Sequence, residues 1–315
     1  MARRPNTVLV RVPASTSNLG SGFDTLGLAV NLYNKVRVSA LAAKKGVSIV
    51  SRIAEADRAA AEAMLTEAAD EFFRRAELGV FGITVLLEGN VPVARGLGYS
   101  ATARLGVVAA LNEISGANWS RERLLEVVTA LEGHPDNASP AIFGGFTVSG
   151  MVGQSVRCLR FRVDPKLKLV TLFPSFKIST EKARRLLPET LPRVDAAHAL
   201  NRAALITAAF AREDYGALGG LFDDRVHQPY REPLIPQLSR VIRAGEAAGA
   251  VGGFLSGSGS GIICLTLKNA KAVAQAMQKE LPESEMKILV ADNEGFQIAN
   301  RKSQIANRPC PAPFI

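Results

Sequence analysis

Residues 81–111 read FGITVLLEGNVPVARGLGYSATARLGVVAAL: a strand pattern, a loop punctuated by proline and glycine, and a helix pattern in direct succession. This junction constrains the fold more than any other stretch. FGITVLLEG reads as a strand that ends near Glu88, and Pro92, which has no N–H, excludes further pairing in a central strand. Gly96 and Gly98 allow positive φ and close approach of the backbone to a ligand. A helix is expected from near Ser100: Ala101 and Ala103 are small and leave its first N–H groups open, and Leu105, Val108 and Leu111 recur at core-facing spacing. A bent glycine loop at a helix N-terminus is an anion site, because free N–H donors and the positive end of the helix dipole point the same way. The stretch also reads as a plain strand-to-helix turn capped by Ser100. Bulky Tyr99, in the middle of it, is expected to precede the helix and to turn its ring outward along a cleft.

The same alternation runs through the chain. TVLVRV and NKVRVSA read as strands around a Gly/Asn/Ser loop, 54–78 as a helix, and 120–133 as a helix capped by Ser120. Strands with glycine turns fill 144–163. KLVTLFPS is a strand, STEKARRLLP a helix stopped by Pro188, 195–211 a long Ala-rich helix, and GFLSGSGSGIICLTL a glycine loop entering a strand before the helix NAKAVAQAMQKEL. Interleaved strands and helices imply a mixed α/β chain. A boundary near Asp164–Pro165 divides it into residues 1–165 and 166–300. The remainder, 301–315, lacks apolar periodicity and reads as a disordered tail, although QIANR at 297–301 recurs at 304–308.

Composition removes several classes of function. No apolar run approaches the roughly 18 residues of a membrane helix, and Arg11 interrupts the only apolar stretch near the N-terminus, so neither a membrane span nor a secretory signal is expected. Cys158, Cys264 and Cys310 are odd in number and far apart, which suits reduced thiols in the cytoplasm. The net charge is +9, but the bases are scattered and aromatics make up only 6% of residues. That disfavours a nucleic-acid binder and suits a small polyanion such as a nucleotide. There is no Walker loop, no protein-kinase signature and no nucleophile elbow, and His134, His198 and His227 are too far apart for a local metal motif. SGSGSG at 256–261 precedes a strand, whereas a dinucleotide fingerprint follows one.

Three further constellations bear on function. VPASTSNLGSGFDTLGLAV packs Asn18 and Asp24 into a loop of small residues. LEGHPDNASPAIFGG places Glu132, His134, Asp136 and Asn137 within six residues at a helix end, a density uncommon in a purely structural turn. HQPYREPLIP holds Arg231 between two prolines, where a rigid extended backbone is expected to expose and aim it.

In this order the motifs resemble those of the GHMP kinases (galactose, homoserine, mevalonate and phosphomevalonate kinases), and within them most closely the homoserine kinases. PVARGLGYSA resembles the superfamily pattern P-x-x-x-G-L-G-S-S-A, PASTSNLGSGFD the first homoserine-kinase motif, EGHPDNASP its H-P-D-N block and LSGSGSGI its third motif. ISTEKARRLLP and HQPYREPL match its later substrate loops, so the resemblance spans residues 8–295. It implies two mixed α/β domains with a left-handed β-α-β crossover in the first, an active site in the cleft between them, and a cytoplasmic, commonly homodimeric enzyme. The activity implied is transfer of a phosphoryl group from ATP, with Mg²⁺, to the side-chain hydroxyl of L-homoserine on the route to threonine.

The resemblance also implies roles for residues. ATP would lie against Pro92, Arg95, Gly96, Leu97, Gly98, Tyr99, Ser100, Ala101 and Thr102, and the third glycine motif would contribute Ser256, Gly257, Ser258 and Gly259. Ser100 and Glu132 would hold the metal, which takes hard oxygen ligands; Glu132 also reads as a surface acid in a last helical turn. A zwitterionic substrate needs a cation for its carboxylate, here Arg184 and Arg231, and an anion for its ammonium, here Asp24. Thr180 lies one helical turn before Arg184, on the same face. Asn18, His134 and Asn137 would orient the hydroxyl end, and Asn18 and Asn137 join Ser100 and Glu132 as the catalytic set. No base is evident, although Asp136 can be argued as one, so direct transfer by transition-state stabilisation is expected. The family usually has Ser where Tyr99 stands, which leaves open another GHMP small-molecule kinase or a catalytically impaired nucleotide-binding homologue.

Overall fold

Two antiparallel-rich sheets share the chain. The computed structural model describes residues 6–41, 46–49 and 55–298. The tail read as disordered, Cys310 and the second QIANR copy lie outside the described residues; the first copy contributes a short strand. Elements run β1 (Thr7–Ser17), β2 (Leu26–Leu41), β3 (Val47–Ile49), α1 (Glu55–Ala76), β4 (Gly82–Gly89), α2 (Tyr99–Ser115), α3 (Arg121–Glu132), α4 (Ala138–Phe143), β5 (Phe146–Val152) and β6 (Ser155–Phe161). They continue with β7 (Lys168–Phe173), α5 (Thr180–Arg185), α6 (Arg193–Ala211), α7 (Gln228–Arg231), α8 (Leu238–Ala247), β8 (Gly252–Leu255), β9 (Ile262–Thr266), α9 (Ala270–Glu280), β10 (Glu285–Leu289) and β11 (Gln297–Ile298).

The first sheet has the order β11-β1-β2-β4-β3, with β5 paired to the start of β2 and β6 to β5; only β3 and β4, joined through α1, are parallel. The second sheet, β10-β7-β9-β8, is wholly antiparallel. The mixed α/β class read from the sequence is the one observed.

An irregularity in the first sheet lets it serve two cores. Along β1 and β2 the pairing shifts between Pro13 and Ala14, where Tyr33 pairs with Pro13 but Val30 pairs with Ala14. Two extra residues of β2, Asn31 and Leu32, are accommodated there, and such an irregularity bends the paired strands. Val8, Val10 and Val12 accordingly pack with Val36 and Val38 against α1, α2 and α3, whereas Ala14 packs with Leu26, Leu28, Val30 and Leu32 in a second cluster. That second cluster continues into Leu169, Ile263 and Leu265 of the other sheet and Phe210 of α6, whose ring stacks on Phe146 at 4.0 Å. A third cluster fills the space between the second sheet and α8 and α9. The strands are therefore longer than TVLVRV and NKVRVSA, and the polar ends Ser15, Thr16 and Ser17 of β1 are carried, buried, to the junction of the sheets.

Helix α2 is the central rod. Twelve of its residues are buried, including Leu105, Val108 and Leu111. Ser120 caps α3 as expected, accepting from the Arg123 N–H. Short α4, α7 and α8 have no counterpart in the sequence reading. At Gly106 the backbone of α2 lies so close to β2 that a Cβ would come within 2.2 Å of Val36 Cγ2. Alanine has a helix propensity about 1 kcal/mol better than glycine, but overpacking against a β-branched strand residue costs roughly 1–3 kcal/mol. Gly106→Ala is therefore expected to lower the melting temperature, and Val36→Ala to restore part of it when combined; an unchanged or raised melting temperature for the single variant would contradict this packing.

Candidate active site

A cleft of about 390 Å³ opens where loops from both sheets converge, and it is lined by Ser17, Asn18, Phe23 and Asp24, by Val93–Ser100, by Arg104, Glu132, His134, Asp136 and Asn137, and by Thr180, Arg184, Arg231, Gly257 and Ser258. A larger open groove of about 940 Å³ runs along α1, lined by Glu62, Glu67, Asp70 and Glu71 among others. Its carboxylates make it a poor seat for a polyanion, so the smaller cleft is the candidate.

The glycine loop is built for close approach. Gly98 takes a left-handed conformation at the N-cap of α2, with no side chain capping the helix. The first helical bond belongs to Thr102, whose N–H donates to Gly98 O at 2.9 Å. The amides of Ser100 and Ala101 precede it and have no partner one turn back, as at any helix start. A Cβ on Gly98 would lie 2.7 Å from both Asn137 Oδ1 and Ser15 Oγ, and one on Gly96 would lie 1.9 Å from Ser256 O. Tyr99 is the first residue of α2, not a residue before it, and its half-buried side chain packs against both apolar clusters flanking the first sheet. The open N–H groups of the loop are backbone, which the side chain at position 99 leaves in place.

Beside this loop, Ser100 Oγ donates to Glu132 Oε2 at 2.7 Å, and Arg104 Nη1 donates to Glu132 Oε1 at 2.8 Å. The Glu132 side chain is only 7% exposed, so the reading of a surface acid fails. Ser100 Oγ and Glu132 Oε2 are both hard oxygen donors of the kind a divalent ion takes, held side by side by their hydrogen bond. Ser100 and Glu132 thus fit a divalent cation, with Arg104 fixing the far oxygen of the carboxylate.

The opposite end of the cleft is rich in charge. Arg184 grips Asp24 with two bonds, Nη2 to Oδ1 at 2.7 Å and Nη1 to Oδ2 at 3.1 Å. His134 Nδ1 bonds Asp136 Oδ1. Burial opposes charge on His134, but the bond and attraction to Asp136, with help from Asp24, outweigh it and raise the imidazole above its ordinary value. Asp24, His134 and Asp136 bring ligand atoms within 4.8 Å of one another, a cluster suited to a positive group. Arg231 is only 2% exposed and sits at the end of α7, so it is neither exposed nor on extended backbone: Pro229 opens a short helix and the side chain is drawn inward. Burial, and next the charge of Arg184, lower it to about 10, still cationic at neutral pH.

Most residues singled out in the sequence meet here. Asn18 and Asn137 line the cleft and also brace it: Asn18 Nδ2 donates to Gly257 O at 3.2 Å, its Oδ1 accepts from the Asp24 N–H, and Asn137 bridges Ser15 and Ser17. Thr180 meets Ser258 at 3.2 Å. Arg95 lines the wall and donates to Ser175 O at 2.7 Å. Pro92, Ala101, Thr102, Ser256 and Gly259 do not line it. Thr102 is buried, accepting from Asn34 and donating to Tyr99 O, and Ser256 turns inward to Gly96 O and Thr16. Sequence reasoning missed Ser17, Phe23, Val93, Ala94 and Arg104 as lining residues. Arg104 was detectable, one helical turn after Ser100; Phe23, under both arginines at about 5.5 Å, carried no signal beyond its place beside Asp24.

With this geometry established, comparison with known proteins is informative. The family described as GHMP kinases N terminal domain matches residues 63–145, and GHMP kinases C terminal matches residues 206–283. The homoserine kinase of Caldicellulosiruptor saccharolyticus is 35% identical over 303 residues, covering 94% of this chain and 98% of that protein. That of Moorella thermoacetica is 36% identical, covering 90% and 96%. The crystal structure of homoserine kinase from Cytophaga hutchinsonii superimposes with a TM-score of 0.83 at 26% identity, covering 95% of this chain and 99% of that one. With both family domains matched in order and relatives alike over nearly their whole length, the chain belongs to the GHMP kinases, in their homoserine kinase branch.

Proposed function

We propose that this enzyme transfers the γ-phosphoryl group of ATP to the side-chain hydroxyl of L-homoserine, giving O-phospho-L-homoserine and ADP. One observation carries the reading: a single cleft joins a backbone anion cradle at the start of a 17-residue helix to a set of groups matched to a zwitterion. The first-turn amides of α2 receive the triphosphate. Ser100 and Glu132 would hold the divalent ion, Mg²⁺ in this reading, which would neutralise phosphate charge when bound. Asp24 takes the substrate ammonium, Arg184 and Arg231 its carboxylate, and Thr180 closes that end. Arg184 must exchange Asp24 for the substrate carboxylate, which frees Asp24 for the ammonium. Asn18, His134 and Asn137 set the hydroxyl end. Asp136 Oδ1 already accepts from His134 and Asn137, so no base is assigned and transfer is direct and in line.

The paired arginines and Asp24 favour an amino acid over a sugar or mevalonate. Residues 1–165 serve as the nucleotide-binding part and 166–300 as the second part. Buried Cys264 as a reduced thiol accords with a cytoplasmic enzyme, and the family with a homodimer.

The test is coupled ADP release over L-homoserine, mevalonate and galactose with Mg-ATP. L-homoserine is expected to turn over fastest; a faster rate with mevalonate or galactose overturns the substrate assignment. Ser100→Ala is expected to lower kcat by roughly 10²–10³, about the cost of losing one preorganised polar contact to developing charge. Tyr99→Ser and Tyr99→Phe should each change kcat by less than about tenfold, since Tyr99 packs on the apolar clusters; activity gained only in Tyr99→Ser would mark the natural chain as an impaired homologue.

A further inference from the structure

Arg231 has five N–H donors to place. Its Nε donates to Ala183 O at 3.4 Å, and Nη1 has two neighbours, Gly257 O at 3.0 Å and Nδ1 of His227 at 3.1 Å. Nη2 makes no hydrogen bond among the described residues, and Arg231 lines the cleft. The two protons on Nη1 therefore need two acceptors, and one of them is a histidine nitrogen that must be unprotonated.

His227 is fully buried. Its Nε2 lies 2.9 Å from Gly20 O, which can only accept, so Nε2 carries a proton. The groups around the ring are Asp224, 3.5 Å from Nε2, Arg231, the Phe23 ring at 5.5 Å, and Asp24 beyond it. Asp224 is itself held by the backbone N–H groups of Val226, His227 and Gln228 and by Ser21 Oγ, so it fixes the start of α7 and the ring above it.

We infer that His227 is a positioning residue for substrate binding: as a neutral imidazole protonated at Nε2, it accepts from Arg231 Nη1 through Nδ1 and thereby leaves Nη2 for the substrate carboxylate. Burial, joined by the charge of Arg231, lowers the histidine below its ordinary value despite the pull of Asp224, in keeping with a neutral ring. A proton on Nδ1 would set one donor against another and turn the guanidinium. The inference rests on the reading of Arg231 as the carboxylate holder.

Two measurements on the full-length enzyme test it. In the ¹⁵N-histidine-labelled protein at neutral pH, long-range ¹H–¹⁵N spectra distinguish protonated from unprotonated ring nitrogens, with His227 identified by its loss in His227→Asn. A proton on Nε2 alone is expected; one on Nδ1 overturns the inference. In kinetics, His227→Leu removes the acceptor and is expected to raise KM for L-homoserine roughly ten- to hundredfold, the worth of one hydrogen bond to a charged group, while KM for ATP barely moves. His227→Asn restores an oxygen near Nδ1 and is expected to recover most of the loss. Equal damage to both substrates, or an Asn variant as impaired as Leu, would make His227 merely structural. If the Leu variant does not fold, the spectra and the Asn variant still decide. Arg231→Ala separates the two claims: no change in homoserine KM overturns the carboxylate assignment itself, whereas a rise there without one in the His227 variants overturns only the role of His227.

Discussion

Gly96 meets Ser256 backbone to backbone, and the site depends on that contact. Ser256 Oγ donates to Gly96 O at 2.7 Å and shares a hydrogen bond with Thr16, the Gly257 N–H donates to Ser17 O, and the Gly261 N–H donates to Arg95 O. Three segments are thereby tied together: the end of β1, the loop before α2, and the loop between β8 and β9. Gly96 can sit there only because it has no side chain and tolerates its φ of 73°. A second close approach, Gly98 against Asn137 and Ser15, brings in the loop after α3. The helix start proposed to receive phosphate and the loops proposed to receive the amino acid are thus parts of one hydrogen-bonded junction.

The two arginines at the amino-acid end are held very differently. Arg184 and Asp24 are each about a third exposed (38% and 32%), so water screens their pair and its net worth is about 1 kcal/mol or less. Exchange of partners when a zwitterion arrives is therefore cheap. Arg231 is buried, with its charge met by two carbonyls, one imidazole and the face of Phe23. It is held in place and, in the proposed function, defines where the carboxylate goes. The cleft thus pairs one adaptable cation with one fixed cation.

Much of this was legible in the sequence. The strand–glycine loop–helix junction, the core-facing residues of α2, the capping of α3 by Ser120 and the gathering of Asn18, Asp24, His134, Asn137 and Arg184 all follow from local pattern or from the motifs. What escaped had non-local causes. Arg231 was read as exposed between prolines; its burial depends also on Ala183 and Gly257, neither of which lies in its local pattern. Tyr99 lines the cleft as read, but its packing against both clusters involves strands far from it in sequence, which no window around residue 99 contains. Thr102 and Ser256 carry the right motif positions but turn inward to bonds with Asn34, Gly96 and Thr16.

The central claim is that one junction positions both ends of the reaction. Calorimetric titration of Gly96→Ala with ADP and, separately, with L-homoserine tests it, with circular dichroism to verify the fold. A Cβ there collides with the Ser256 carbonyl, so the loop from β8 must shift, and both ligands are expected to bind more weakly than to the natural enzyme by roughly tenfold or more, about 1.4 kcal/mol each. If homoserine binds the folded variant as tightly as before while only the nucleotide is lost, the two ends are independent and the account is wrong.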